Sequence, residues 1–205
     1  MNMIILPKKL AMLLAITFLL GSLWFVGFKL IVKKSDKVHF HANFALYIDG
    51  KRDDFKSNVF YEEVQSCSAD GSDPRTRVHM HDEVNDVVHV HAKGVTWGHF
   101  FANLGYTLGN SSITTRTETL VDGVNGKKLT FILNGEPATL IANRLIADTD
   151  RLLINYGSES LADLQLRFTT VSHSADEVDK KQDPASCSGG KSEDAIWNRI
   201  KKAAW

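Results

Sequence analysis

The chain has 205 residues, of which 43% are hydrophobic, so it is long enough for one ordinary domain with a packed core and some appended segments. Its 24 Lys and Arg residues balance its 24 Asp and Glu residues, and no basic stripe interleaved with aromatic residues appears, which argues against nucleic-acid binding. With only two cysteines, Cys67 and Cys187, it cannot form a thiolate-rich zinc finger or a Cys-x-x-Cys redox centre. A single disulfide between the two cysteines is the remaining alternative.

An apolar segment from Leu10 to Val32 predicts a transmembrane helix, because it is long enough to cross about 30 Å of hydrocarbon. A cleaved signal peptide is the alternative. The segment exceeds the usual apolar region of about 7 to 15 residues, however, and no Ala-x-Ala-like cleavage site follows it. We therefore predict a cytoplasmic tail and membrane anchor in residues 1–35, with the lipid bilayer contacted through residues 10–32.

The lysines around this segment do not decide its orientation. Two precede it and four lie at its end or just beyond, namely Lys8, Lys9, Lys29, Lys33, Lys34 and Lys37, so the positive-inside count favours the wrong end for an exported domain. A first helix with a very short tail commonly acts as a signal anchor, and we predict a single-pass protein with its C-terminal domain outside the cytoplasm.

The sequence pattern of residues 36–171 predicts one α+β domain built mainly on an antiparallel β-sheet. Apolar residues occupy every second position from Val38 to Ile48, the period of a half-buried strand that ends at an Asp49-Gly50 turn. Val78–His81 and Val88–His91 predict a hairpin. Residues 129–133 predict a later strand that ends at an Asn134-Gly135 turn, and residues 151–156 predict a last strand. Thr96 predicts the start of one packed helix that stops at Gly105.

For the tail, residues 172–205, the sequence pattern predicts a flexible linker followed by a terminal amphipathic helix. It is polar as far as Ser192 and carries Cys187, whereas apolar residues recur after Ser192. The terminal helix either docks on its own domain or binds a membrane surface or partner.

Three His-x-His pairs are the strongest functional signal. Residues i and i+2 of a strand point to the same side, and apolar residues occupy the alternate positions, so each pair lies on the face opposite the core. The six candidate metal ligands are His79, His81, His89, His91, His39 and His41. A hairpin register summing to 170 would oppose His81 to His89 and His79 to His91 and bring four imidazoles together.

Neutral imidazoles without thiolates favour copper or zinc as the bound divalent metal ion. Asp82 follows His81 and either accepts a hydrogen bond from a ligand histidine, which would fix its tautomer, or is a turn residue. A proton-sensing cluster without metal and a chance clustering of solvated histidines are the alternatives to metal binding.

The motifs also resemble a known family. In order, they are HFHANFALYIDGK, VHMHDE, DVVHVHAKGVTWGHFFANLG, LTFILNG and DTDRLLINYG. Together they resemble a poorly characterised family of small, membrane-anchored extracytoplasmic domains of bacteria and archaea that are rich in His-x-His pairs. The resemblance covers residues 38 to 170 and implies export of the domain. Some members are labelled automatically as protein-disulfide isomerases, an activity that is not carried over because this chain has no Cys-x-x-Cys. The second half also resembles a β-grasp arrangement, which implies no function.

Three functions follow from these patterns. The first is a membrane-anchored module whose exposed His pairs bind a divalent transition metal outside the cytoplasm and hold it or pass it to a membrane protein partner. The second is a metal-dependent enzyme in which three histidines leave an open position for water, with Asp82 or Glu83 as the nearby acid or base. The third is a non-catalytic interaction domain stapled by a Cys67–Cys187 disulfide.

Overall fold

The computed structural model describes residues 7–32, 38–61, 73–81, 84–178 and 180, and side chains of the first helix as far as Gly27. Cys67, Cys187, Asp82, Glu83 and the predicted terminal helix lie outside these residues. The chain divides into two compact units, one containing the first helix and the other spanning residues 37–190.

The first unit contains α1, Lys8–Val32, a helix of 25 residues. At a rise of about 1.5 Å per residue such a helix measures about 38 Å, more than the hydrocarbon thickness of a bilayer. Between Lys8 and Gly27 its side chains are predominantly apolar and are not buried by the protein. The helix is thus long and apolar enough to span a membrane.

The second unit is an α+β domain with ten short strands and three short helices among the described residues. The strands are β1 (Phe40–Ile48), β2 (Lys51–Arg52), β3 (Val78–His79), β4 (Val87–Val90), β5 (Thr107–Leu108), β6 (Ser112–Thr114), β7 (Thr119–Val121), β8 (Lys128–Leu133), β9 (Glu136–Ala138) and β10 (Arg151–Gly157). The helices are α2 (Trp97–Asn103), α3 (Leu161–Phe168) and α4 (Ala175–Val178).

The main sheet has the order β3-β4-β1-β10-β8-β9, with β2 paired to β1, and a smaller sheet has the order β5-β6-β7. The two long strands β1 and β10 run parallel, and the other pairs of the main sheet are antiparallel. The sheet is therefore mixed. Its β1–β2 and β8–β9 hairpins turn at Asp49-Gly50 and Asn134-Gly135, as predicted, with positive φ at all four residues.

One face of the main sheet forms the larger apolar core. Ala42, Phe44 and Leu46 of β1 point into it, as their alternation predicts. Helix α2 buries Trp97, Phe100 and Phe101 in the same core. As predicted, Thr96 caps this helix, and Gly105 follows its end with a φ of 76°.

The opposite face carries a second, smaller apolar core beneath α3. Ala45, Ile132 and Leu153 come from the sheet, and Leu164 and Phe168 come from the helix. The sequence pattern predicts one helix in the domain, and this prediction is wrong because α3 is a second helix. Its signals were present, since Ser160 and Asp163 form a capping box at its start.

The folded domain continues beyond residue 171, where the sequence pattern places a linker. The buried side chain of Asn43 donates a hydrogen bond to the Ser174 hydroxyl at 3.0 Å and accepts one from the backbone N–H of Ala175 at 2.9 Å. Ala175 is itself buried at the start of α4. A polar side chain on the sheet thus ties α4 to the face that carries α3.

Candidate metal centre

Three neighbouring strands bring all six histidines of the His-x-His pairs to one side of the main sheet. His41 in β1 and His79 in β3 are both register partners of His89 in β4, which lies between them. His39 and His91 immediately precede β1 and follow β4, and His81 follows the end of β3. The side is the one opposite the larger core, as the alternation predicts.

The predicted hairpin register is wrong by two residues. His79 pairs with His89, and Val78 pairs with Val90, so opposed residues sum to 168 rather than 170. Both registers are even and keep all histidines on one face. The sequence of the hairpin does not distinguish the two registers, because in both of them the apolar residues of one strand pair with apolar residues of the other on the core side.

The six imidazoles form a continuous cluster. Successive rings have centroids 3.7, 4.3, 4.6, 4.7 and 5.0 Å apart in the order His81, His89, His41, His39, His91 and His79. The pairs were expected to be exposed. Four of the side chains are instead at most 4% exposed, namely His41, His79, His81 and His89.

Within this cluster, His39, His89 and His91 form the group best arranged for a metal ion. Each can offer one ring nitrogen such that the three nitrogens lie within 4.8 Å of one another. Two nitrogens bound to one tetrahedral zinc ion at about 2.0 Å lie about 3.3 Å apart. The three rings therefore need only a small inward movement to reach ligand geometry. His39 can join this group only if β1 lies beside the hairpin strand β4, and the structure pairs β1 with β4.

The ring nitrogens of His91 lack hydrogen-bond partners among the described residues. Both of its ring nitrogens are shielded from solvent, and neither has a hydrogen-bond partner among the described residues. A buried polar atom of this kind usually has a protein, water or ion partner. A bound metal ion would provide that partner for one of the two nitrogens.

The surroundings keep His89 and His91 neutral. Burial, followed by the neighbouring histidines His79 and His39, lowers the pKa of His91 from 6.5 to about 3. Burial also lowers the pKa of His89, with smaller contributions from His81, His41, His79 and His91. A neutral imidazole has the lone pair that a metal ion binds, so the electrostatics favour the ligand form at neutral pH.

Two hydrogen bonds orient three of the histidines. Nε2 of His41 lies 2.9 Å from Nδ1 of His89. Nδ1 of His79 lies 2.7 Å from the backbone carbonyl oxygen of Arg75. A carbonyl oxygen only accepts, so His79 carries its proton on Nδ1 and its lone pair on Nε2. The role of Arg75 could not be predicted from the sequence, because its backbone carbonyl oxygen accepts the hydrogen bond and any residue has such an oxygen.

His99, a remaining histidine, has a structural role. Its Nδ1 accepts a hydrogen bond from the backbone N–H of Thr96 at 3.1 Å, which completes the capping box of α2. It belongs to the helix that packs on the opposite face of the sheet. Residue His99 is therefore a natural control for the histidine cluster.

Comparison with protein-family models, with curated proteins and with solved structures finds no match to this chain. The resemblance to membrane-anchored His-x-His domains stays a prediction from the motifs, and the functional assignment depends on the geometry of the histidine cluster.

Proposed function

We propose that the domain binds a divalent transition metal ion through the histidine cluster, with His39, His89 and His91 as the ligands at its centre. One observation carries this proposal: three ring nitrogens come within 4.8 Å of one another, and those of His91 are shielded from solvent without a partner in the part of the chain that the structure describes. His79, His81 and His41 line the same cluster and complete its surroundings.

Metal binding explains the cluster better than proton sensing does. Burial and the neighbouring histidines lower the pKa values of His89 and His91, so these two imidazoles do not readily take up protons at neutral pH. A metal ion introduces one compact charge that several neutral nitrogens share. Copper(II) and zinc are the favoured ions, since imidazole nitrogen is a borderline ligand that suits both.

We further propose that α1 anchors the protein in the bilayer with the domain outside the cytoplasm. Its length and apolar composition support the anchor. In that position the domain would take up a metal ion outside the cytoplasm and hold it or pass it to a membrane protein partner.

A metal-dependent enzyme is the second candidate. Three histidine ligands leave a fourth position on a tetrahedral ion, which is the arrangement that catalytic zinc sites use to activate water. The acid and base candidates Asp82 and Glu83 lie outside the described residues. We therefore propose no catalytic residue.

We also propose a β-grasp relationship for the domain. Four strands of the main sheet lie in the order β4-β1-β10-β8, with the parallel pair β1 and β10 in the middle. Helix α2 connects the β4 and β8 parts of the chain. This relationship concerns the fold and carries no function.

The test is the metal content of the full chain purified in detergent, measured by elemental mass spectrometry after incubation with zinc or copper and removal of loosely bound ions. We expect about one tightly bound ion per chain. His91→Ala should lose it, whereas the control His99→Gln, which retains a side-chain acceptor for the α2 cap, should keep it. Equal metal content in the two variants, or none in the unmodified chain, would contradict the proposal.

A further inference from the structure

The hydrogen bond between His41 and His89 gives these two histidines different roles toward a metal ion. We propose that His41 is a positioning residue that selects the metal-binding nitrogen of His89 and does not itself bind the metal. This inference rests on the proposed function, because it assigns His41 a role toward the metal ion proposed above.

The contact has the geometry of a direct N–H···N hydrogen bond. Nε2 of His41 and Nδ1 of His89 lie 2.9 Å apart. The two residues are register partners on the adjacent strands β1 and β4, so the backbone ladder holds them opposite each other. Both side chains are buried, at 1% and 4% exposure. Solvent therefore does not compete for the hydrogen bond.

One proton lies between these two nitrogens, and its position decides whether His89 can bind a metal ion through Nε2. A neutral imidazole carries one N–H and one lone pair. If His41 donates, His89 carries its own proton on Nε2 and offers no lone pair there. If Nδ1 of His89 donates, its Nε2 has the lone pair. Metal binding through Nε2 of His89 therefore requires His41 to accept.

Accepting this hydrogen bond engages the Nε2 lone pair of His41. The candidate ligand group is consistent with that role, since it contains His39, His89 and His91 and not His41. His79 shows the same arrangement with a different acceptor, because its Nδ1 donates to the Arg75 carbonyl. Metal-binding histidines generally donate their second ring N–H to an acceptor that fixes the tautomer. In this protein the acceptor for the second ring N–H of His89 is the imidazole of His41.

The test compares His41→Gln with His41→Asn in the full chain in detergent, with Zn²⁺ as the probe. The side-chain oxygen of Gln can reach the position of Nε2 and accept from His89, whereas that of Asn is too short. We expect His41→Gln to retain the zinc affinity within about threefold and His41→Asn to lose about 10- to 100-fold, measured by competition with a chromogenic chelator. X-ray absorption should count the same number of imidazole ligands in both variants as in the unmodified chain.

A loss of one imidazole ligand in both variants would overturn the inference, because it would make His41 a ligand. Equal loss of affinity in both variants would also overturn it, since the Gln side chain would then give no rescue. An unmodified chain that binds no zinc or copper would instead refute the proposed function. Nitrogen-15 spectra of the zinc-loaded, histidine-labelled chain need no variant: a proton on Nδ1 of His89 supports the inference, and zinc on that nitrogen refutes it.

Discussion

The side-chain amide of Asn103 donates a hydrogen bond to the backbone carbonyl oxygen of Val78, 2.9 Å away. The same amide donates to the carbonyl oxygen of Pro74 at 3.0 Å. Asn103 is the last residue of α2, and Val78 begins β3, so this contact ties the helix to the strand that carries His79. It therefore helps to fix the position of β3 against the end of α2.

Asn103→Ala should therefore destabilise the domain and weaken metal binding together. Loss of the amide removes two hydrogen bonds that lie in exposed or part-buried positions, which costs about 0.5 to 1.5 kcal/mol. Urea denaturation of the metal-free chain measures the first effect, and zinc competition measures the second. The exposed Asn110 is the matched control, and its change to Ala should alter stability by less than about 0.5 kcal/mol. A stable Asn103→Ala variant with normal zinc affinity would contradict this prediction.

The metal-free domain should lose stability on acidification. The pKa of His91 is about 3 in the folded state and 6.5 ordinarily. Below about pH 6.5 the unfolded chain binds a proton that the folded chain refuses, so stability falls as the pH falls and is constant above that range. The pKa of His89 is shifted in the same direction. Each such histidine contributes a slope of up to about 1.4 kcal/mol per pH unit.

Denaturant midpoints of the chelator-treated chain at pH 7.5, 6.5 and 5.5 measure this slope. His91→Asn should have a shallower slope over the same interval, because one of the proton-refusing groups is gone. Stability that increases between pH 6.5 and 5.5 would show that the cluster gains protons on folding and would contradict the neutral state of these imidazoles.

Thr96→Ala should destabilise the domain through the start of α2. The Thr96 hydroxyl accepts from the backbone N–H of His99 at 3.2 Å. Removing such a cap costs about 0.5 to 2 kcal/mol. Thr96→Ser keeps the hydroxyl and should remain close to the original thermal midpoint. Equal midpoints for the Ala and Ser variants would show that the cap contributes nothing measurable.

Gly98→Ala should also be destabilising, although alanine is ordinarily better than glycine in a helix by about 1 kcal/mol. A Cβ atom at residue 98 would lie 2.5 Å from the backbone carbonyl oxygen of Ala142, so the helix or the facing turn must move. We expect a net loss of about 1 to 3 kcal/mol in thermal or urea unfolding. Ala102→Gly in the same helix is the comparison, because it reports the propensity effect without a clash. A more stable Gly98→Ala variant would mean that the two segments separate easily.

The proposed orientation predicts opposite results for two reporters fused to the C-terminus. Alkaline phosphatase should be active, because it folds with its disulfides only outside the bacterial cytoplasm. Green fluorescent protein exported through the same route should be dark. The reverse pair of results would place the domain in the cytoplasm, against the proposed export.

Several local features could be predicted because they depend on neighbouring residues. The strand at β1, the Asp49-Gly50 and Asn134-Gly135 turns and the Thr96 cap follow from side-chain alternation, positive φ and backbone hydrogen bonding over a few residues. The parallel pairing of β1 with β10 could not be predicted in this way, because about 100 residues separate the strands and no local pattern selects the partner. Helix α3 was missed although its capping box was readable.

The sequence by itself determined that the three His-x-His pairs lie on the face away from the larger core, because side chains alternate along a strand and the intervening residues are apolar. Only the tertiary structure decided which histidines meet. It set β1 beside β4, paired His79 with His89, and brought His39 to His89 and His91. The physical reason is that strand neighbours and register depend on contacts between residues far apart in the chain, whereas the face of a side chain depends on the strand alone.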